Sequence, residues 1–326
     1  MTTLARAPRI AVPEQIQPGA FRGFDREAQI LALAGTTMGT RWNVRLAAAD
    51  VTQGPHLTRL VQQRLDDLVA QMSHWDENSD LDRFNRAPAN SWHHLRPDFA
   101  KVVASALAIA DASDGAFSPA LGRLTDAWGL AARQVDVSPA AAELTSLSAH
   151  SDWRTLAFDP LGARLRQPGG LWLDLSGIAK GYAADAVADL LAAHDFHHAL
   201  VEIGGECAGR GLKPSGEPWW VDVETPPGLA TPPLRVALHA LGIATSGDYL
   251  RGAHTLDPRT GQPAIHATTA VTVLHPRCMH ADAWASALCV LRPEEARALA
   301  CREGLMVRLL LRDGEEWLSP AFCKLL

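Results

Sequence analysis

"LDLSGIAKGYAAD" (residues 173–185) is the stretch on which the reading of this chain turns. An apolar run ends in Asp174, a Ser-Gly corner follows, and a helix-compatible stretch opens with Lys180 in its first turns. Almost any Asn-Gly or Pro-Gly pair turns a chain. An acid, two glycines (Gly177 and Gly181) and a lysine within eight residues are more than a turn requires.

Outward from this corner, strand-like runs recur at "TRWNVRL" (40–46), "LWLDL" (171–175), "ALVEI" (199–203), "WWVDV" (219–223), "LRVAL" (234–238) and "AVTVL" (270–274). "MVRLLLRDGEEWLS" (306–319) reads as a closing hairpin with Asp-Gly at its turn. In "HLTRLVQQRLDDLVAQM" (56–72) the apolar residues follow a helical stripe, and "PDFAKVVASALAIADAS" (97–113) is a second helix with proline in its first turn. Further helices are expected after residue 175, over about 281–291 and over 293–304, while 131–170 is mixed and loop-rich. Strands neighbour strands instead of alternating with helices, so the fold class is α+β, with mixed or antiparallel sheets packed with helices. Residues 1–30 are expected to be a flexible N-terminal segment, with one large domain over 31–326.

Bulk properties narrow the function. The 326 residues are 47% hydrophobic and 20% charged, enough for a sizeable core. Net charge is −6 and no basic block stands out, which leaves nucleic-acid binding without an electrostatic footprint. Five scattered cysteines form neither a C-x-x-C pair nor a disulfide framework, as expected of a reducing compartment. No run approaches the roughly 20 apolar residues of a membrane span. Residues 1–34 carry neither the apolar core of a signal peptide nor a lipid-anchor cysteine. The expected location is cytoplasmic as the chain is written, and periplasmic if an export segment precedes it. No G-x-G-x-x-G follows a strand with an acid about 20 residues on, which argues against a dinucleotide-dependent dehydrogenase.

Several other segments carry glycine, acid and hydroxyl groups: "GTTMGT" (35–40), "MSHWDENSDLDRFN" (72–85), "GAFSPALGRLTDAWGL" (115–130), "EIGGE" (202–206), "TSGDY" (245–249), "HTLDPRTG" (254–261) and "ADAWASAL" (281–288). Singly, each has a plain structural reading: turns, an N-cap at Ser176 with Lys180 in solvent, an N-capping Asp282. In order and spacing, over about residues 30–320, they resemble the ApbE-type FAD:protein FMN transferases.

The resemblance implies an ApbE-like, T-fold-related architecture and an enzyme of protein flavinylation, a post-translational modification. It would bind FAD as substrate and Mg²⁺, and transfer the FMN moiety to a Thr or Ser hydroxyl of an acceptor flavoprotein, releasing AMP. The implied catalytic residues are His254 as base, Lys180 and Asp282. Met38, Trp75, Ala116, Phe117, Ser118, Asp174, Lys180 and Thr255 are implied to meet the flavin dinucleotide. The implied metal set is Asp282, Ser286 and the carbonyls of Gly177 and Ala285, all hard oxygen donors suited to Mg²⁺. Here Ser286 stands for a family threonine, Trp75 for a frequent tyrosine, and Ala285 where many members carry an acid. Glu202 and Glu206 stand where Asn and Asp are frequent, changes that could tune the flavin pocket.

Three structural expectations follow. Unpaired N–H groups at the helix start after Gly177 would suit a diphosphate. The segment around Ala285 would be irregular at its start, or begin its helix there, so that the Ala285 carbonyl is free. Asp257 would order the Pro-Arg-Thr-Gly turn through its side chain. Two alternatives keep the binding site and change the outcome: an FAD pyrophosphatase giving FMN and AMP, and a non-catalytic FAD-binding protein.

Overall fold

The strand-like runs of the sequence mostly become rungs of one antiparallel sheet. The computed structural model describes residues 8–131, 135, 137–249, 255–264 and 268–326. Eight strands of the main sheet are labelled in chain order: β1 (Gln29–Thr37), β2 (Thr40–Ala48), β3 (Ala199–Ile203), β4 (Glu206–Arg210), β5 (Ala240–Gly247), β6 (Thr268–His275), β7 (Met306–Leu311) and β8 (Glu316–Leu318). Across the sheet they lie in the order β8-β7-β6-β5-β4-β3-β2-β1, each antiparallel to the next. The sheet is therefore a meander, and the long excursions between strands build the rest of the molecule. The expected α+β class is observed.

Of the helices α1 (Gly54–Met72), α2 (Pro97–Ala112), α3 (Ala179–Ala193) and α4 (Cys278–Cys289), α1, α3 and α4 pack on it, and α2 packs against α1 and α4. In α1 the buried side chains Leu57, Val61, Leu65, Leu68 and Met72 recur at helical spacing, as the stripe predicts. Each such side chain contributes about 1.5–3 kcal/mol on burial. Trp42 of β2 is fully buried and its indole N–H donates to Gln62 Oε1 of α1 at 2.9 Å, so the large ring is buried with no unpaired donor.

α3 and α4 are apolar on nearly every side, because they lie in the centre of the core: residues 181–188 and most of α4 are buried. Two glycines set how closely they approach. A Cβ on Gly181 would stand 2.4 Å from the Cys278 carbonyl oxygen, and one on Gly242 of β5 would stand 2.5 Å from Cys278 Cα. Any larger residue would push α4 away from both neighbours.

Several expectations shift. "LWLDL" forms no strand and belongs to no sheet. Leu173 donates its N–H to Asn85 Oδ1 at 2.7 Å and accepts from Asn85 Nδ2 at 3.2 Å, so a side-chain amide takes the place of a neighbouring strand. Asp174 donates its N–H to the Pro119 carbonyl at 2.8 Å. The helix expected over 281–291 runs over Cys278–Cys289. The 131–170 region contains a helix (Ala141–Ser148) and a small sheet joining Trp92–His94, Arg164–Arg166 and Ala157–Asp159. Secondary structure begins before residue 30: Arg9–Ala11 runs parallel to Leu234–Val236, which in turn pairs with the strand Trp219–Val223. Among the described residues, no helix is long and apolar enough to cross a membrane.

Candidate active site

A cleft of about 1090 Å³ opens where the β1–β2 turn, the start of α3, the β3–β4 turn, the end of β5 and α4 converge. Met38, Trp75, Ala116, Phe117, Ser118, Asp174, Gly177, Lys180, Thr255, Asp282 and Ser286 all line it. Residues spread over some 250 positions of sequence are thus brought to one cleft, from segments that singly read as turns or caps.

Met38 and Gly39 form the two-residue turn between β1 and β2, with φ of 49° and 69°. Both are left-handed, as a two-residue hairpin turn of primed type demands. Methionine in that conformation is strained, and its side chain is presented to the cleft. Trp75 is 62% exposed and lies beside His74, ring centroids 5.6 Å apart. Ala116, Phe117 and Ser118 are buried in a loop knotted by local bonds: Phe117 N–H donates to Ser113 Oγ at 3.0 Å, and Ala120 N–H to Ser118 Oγ at 3.2 Å.

Asp174 is buried, with both oxygens engaged. Oδ2 accepts from Thr125 Oγ1 at 2.6 Å, and Oδ1 from the Ser176 N–H at 2.8 Å and the Ser176 hydroxyl at 2.6 Å. Burial alone would raise its proton affinity. The His74 ring 3.9 Å away and the bonds from Ser176 and Thr125 outweigh burial and hold the carboxyl below its ordinary range. Ser176 therefore serves Asp174 and does not cap the helix; the residue at the cap position is Ile178, with no side-chain bond.

The start of α3 also differs from the expected cradle of unpaired amides. Ala179 N–H donates to the Leu175 carbonyl at 2.9 Å, Tyr182 N–H to Ile178 at 3.0 Å, and Gly181 N–H to Asp282 Oδ2 at 2.9 Å. A carboxylate from α4 already sits at the positive end of α3, where an anion is favoured. Lys180 is likewise not a solvated lysine: its ammonium is bonded to Glu206.

Gly177 faces α4. A Cβ there would come within 2.9 Å of Ser286 Oγ and 3.4 Å of the Phe117 ring, so a side chain at this position would displace the Ser286 hydroxyl. Ser286 is placed by Ser246 Oγ of β5, 3.3 Å from its own Oγ. Asp282 and Ser286, one helical turn apart, both face the cleft. Ala285 is fully buried well inside α4, which corrects the expectation of an irregular segment or a helix start there. Its carbonyl lies within reach of the Cys289 N–H by ordinary helical geometry, so only its second lone pair would be open to a metal.

Asp257 orders its turn as expected: its Oδ1 accepts from Arg259 N–H at 2.9 Å, and its carbonyl from Gly261 N–H at 2.8 Å. His254 lies outside the described residues.

One residue noted in the sequence only as a departure from the family pattern stands inside the site. Glu206 opens β4 directly after the tight Gly204-Gly205 turn, both glycines at positive φ, and is 4% exposed in the cleft wall. Burial and repulsion from Asp282 push its carboxyl up to about 7, against the pull of Lys180. Asp282 is raised by burial, offset by Lys180 and the Gly181 N–H. An acid immediately after a glycine-glycine hairpin was the available signal, since such a turn aims the first side chain of the returning strand.

The donor set suits a hard cation. A buried carboxylate with raised proton affinity, a hydroxyl, and a backbone held open by a glycine where a Cβ would collide are the elements of an oxygen-ligand site.

The chain is similar to known proteins in both sequence and fold. The family model described as ApbE family matches residues 38–309. The FAD:protein FMN transferase of Salmonella typhimurium is 32% identical over 306 residues, covering 89% of this chain and 87% of that protein. The protein of the same name from Escherichia coli K12 is 31% identical over 310 residues, 90% and 88% of the two chains. Among solved structures, the apo form of the Pseudomonas stutzeri flavinyl transferase ApbE has a TM-score of 0.83 at 35% identity, covering 92% of this chain and 98% of that one. The flavin transferase ApbE from Vibrio cholerae has a TM-score of 0.83 at 31% identity, covering 92% and 100%.

Proposed function

This chain belongs to the ApbE family, and from that premise we propose that it transfers the FMN moiety of FAD to a Thr or Ser hydroxyl of an acceptor flavoprotein, with Mg²⁺ and release of AMP. The observation that carries the reading is the juxtaposition of Asp282, Ser286 and Gly177 on one wall of a large cleft whose remaining walls offer Met38, Phe117 and Trp75 to a flat ring. The relatives named FAD:protein FMN transferase support flavin transfer to a protein.

In the reaction, the acceptor hydroxyl oxygen bonds to the phosphorus on the FMN side of the diphosphate. The P–O bond to the AMP side breaks, and AMP leaves with the bridging oxygen. The hydroxyl proton passes to a base, the role the family resemblance assigns to His254. Phosphoryl chemistry of this kind depends on positioning and charge neutralisation. Asp282, Ser286 and the carbonyls of Gly177 and Ala285 would hold Mg²⁺, which when bound neutralises diphosphate charge. Met38 and Trp75 would hold the isoalloxazine by soft and aromatic contact, while the Asp174 network keeps the corner before α3 rigid.

The test is to incubate the chain with FAD and Mg²⁺, with and without a threonine-bearing flavoprotein domain, and follow AMP and the acceptor's mass. Transfer predicts AMP and an FMN-sized mass increase only with the acceptor. AMP without acceptor would assign FAD hydrolysis instead, and tight FAD binding with no AMP would leave a binding protein. Asp282→Ala is expected to abolish Mg²⁺-dependent AMP release while the protein stays folded; release at the wild-type rate would refute the ligand set.

A further inference from the structure

The cleft has more negative charge than a site for a dinucleotide should carry. Asp76, Asp174, Glu206 and Asp282 line it, and among the described lining residues Lys180 is the sole lysine or arginine. A diphosphate would add further negative charge, so a bound cation is needed to make up the difference. The ligand set assigned above brings only one formal charge, on Asp282; its other donors are a hydroxyl and two carbonyls.

Glu206 is the second carboxylate at this place. Its Oε1 is bonded by Lys180, but its Oε2 is fully buried with no hydrogen-bond partner in the structure. An unpaired carboxylate oxygen out of water costs more than a neutral orphan, and such a cost calls for an explanation. The fold enforces the position: Gly204 and Gly205 make the turn, and β4 is anchored by its pairing with β3 and β5. Glu206 and Asp282 both line the cleft beside Lys180, whose ammonium is bonded to Glu206, while Asp282 takes the Gly181 N–H at 2.9 Å. Two acids sharing one ammonium lack one positive charge.

We propose that Glu206 belongs to the divalent-cation site, its free Oε2 supplying, with Asp282, the second carboxylate that holds the metal. The proposal rests on the cation-dependent reading given above. It makes the β3–β4 hairpin, and not only α3 and α4, part of the metal site. Lys180 then has two alternative anionic neighbours, Glu206 and the substrate diphosphate, and a metal at Glu206 frees the ammonium for the second.

The experiment measures Mn²⁺ binding to the full chain without FAD, by the loss of free-ion electron paramagnetic resonance signal. Mn²⁺ is chosen because it takes the same hard oxygen ligands as Mg²⁺. Wild type is expected to bind, Asp282→Ala to lose binding, and Glu206→Gln to bind at least tenfold more weakly with an unchanged circular dichroism spectrum. Glu206→Asp keeps the charge but withdraws it by one methylene. It should weaken binding several-fold, and it serves as the independent variant if the glutamine form does not fold. If wild type binds and Asp282→Ala does not, but either Glu206 variant stays within twofold of wild type, the proposal is overturned and the cation-dependent reading stands. If wild type itself binds no Mn²⁺, both fall.

Discussion

Gly181→Ala separates two accounts of the α3–α4 pair by the sign of its effect. In an exposed helix, glycine to alanine stabilises by about 1 kcal/mol, because alanine has the better helix propensity. Gly181 is the third residue of α3 and buried. A Cβ there would stand 2.4 Å from the Cys278 carbonyl oxygen, 2.7 Å from Asp282 Cβ and 2.8 Å from the Cys278 carbonyl carbon. Two of these three atoms are backbone, so no rotamer change relieves the contact. Overpacking of this kind costs about 1–3 kcal/mol. Displacing α4 also stretches the 2.9 Å bond from Gly181 N–H to Asp282 Oδ2, a bond to a charged group worth about 1.5–3 kcal/mol. Mid-range values, less the propensity gain, leave a net loss of about 3 kcal/mol. Urea unfolding followed by tryptophan fluorescence would measure it, with AMP release from FAD and Mg²⁺ assayed in parallel. Activity should fall together with stability, since the same displacement moves Asp282. A variant as stable as wild type or more so would refute the close approach, and with it the claim that Gly181 is glycine because α4 passes over it.

Two further outcomes follow from groups outside the cleft. Arg308 of β7 is fully buried and paired with Glu316 at 2.7 Å, while Glu316 also takes Arg9 at 2.6 Å from the N-terminal strand. Glu316→Ala leaves a buried guanidinium without its carboxylate and should destabilise by about 3–5 kcal/mol; a loss under about 1 kcal/mol in urea unfolding would show that the Thr231 hydroxyl, 3.1 Å from Arg308, satisfies it. His275 at the end of β6 has its proton affinity pushed down to about 4 by burial and by the His280 ring, centroids 4.8 Å apart. A group depressed in the folded state binds protons more readily when unfolded, so its contribution is complete above the ordinary 6.5 and is lost as pH falls toward 4. Replacing it by asparagine should flatten the wild-type decline between those values by on the order of 2 kcal/mol, allowing for partial solvent screening; superimposable pH profiles would refute the assignment.

Much of the architecture was legible because it follows from local patterning. The stripe in 56–72 has the period of one buried helix face, and α1 buries that face. The Asp-Gly between two apolar runs turned the β7–β8 hairpin as expected. The acid, hydroxyl and glycine segments were readable as a site through their order and spacing, which resemble the ApbE family, since singly each has a plain structural reading. Where patterning failed, a partner remote in sequence decided the outcome. "LWLDL" has strand composition, yet the groups completing its backbone bonds include the side chain of Asn85, 88 residues away, on Leu173 and the Pro119 carbonyl on Asp174. The amides at the start of α3 looked free because nothing in 173–185 reveals that Asp282, 101 residues on, bonds one of them. Glu206 stood in plain sight after its two glycines, but only folding removes it from water and sets it between Lys180 and the repulsion of Asp282. Sequence by itself determined the element types, most of the cleft's residues and the chemistry they can perform, because side-chain identity and short-range periodicity are local properties. Tertiary structure alone decided which charges meet, which backbone groups are already paired and how closely α3 and α4 pass. Desolvation, charge pairing and steric contact depend on distances between segments that the chain's order leaves open.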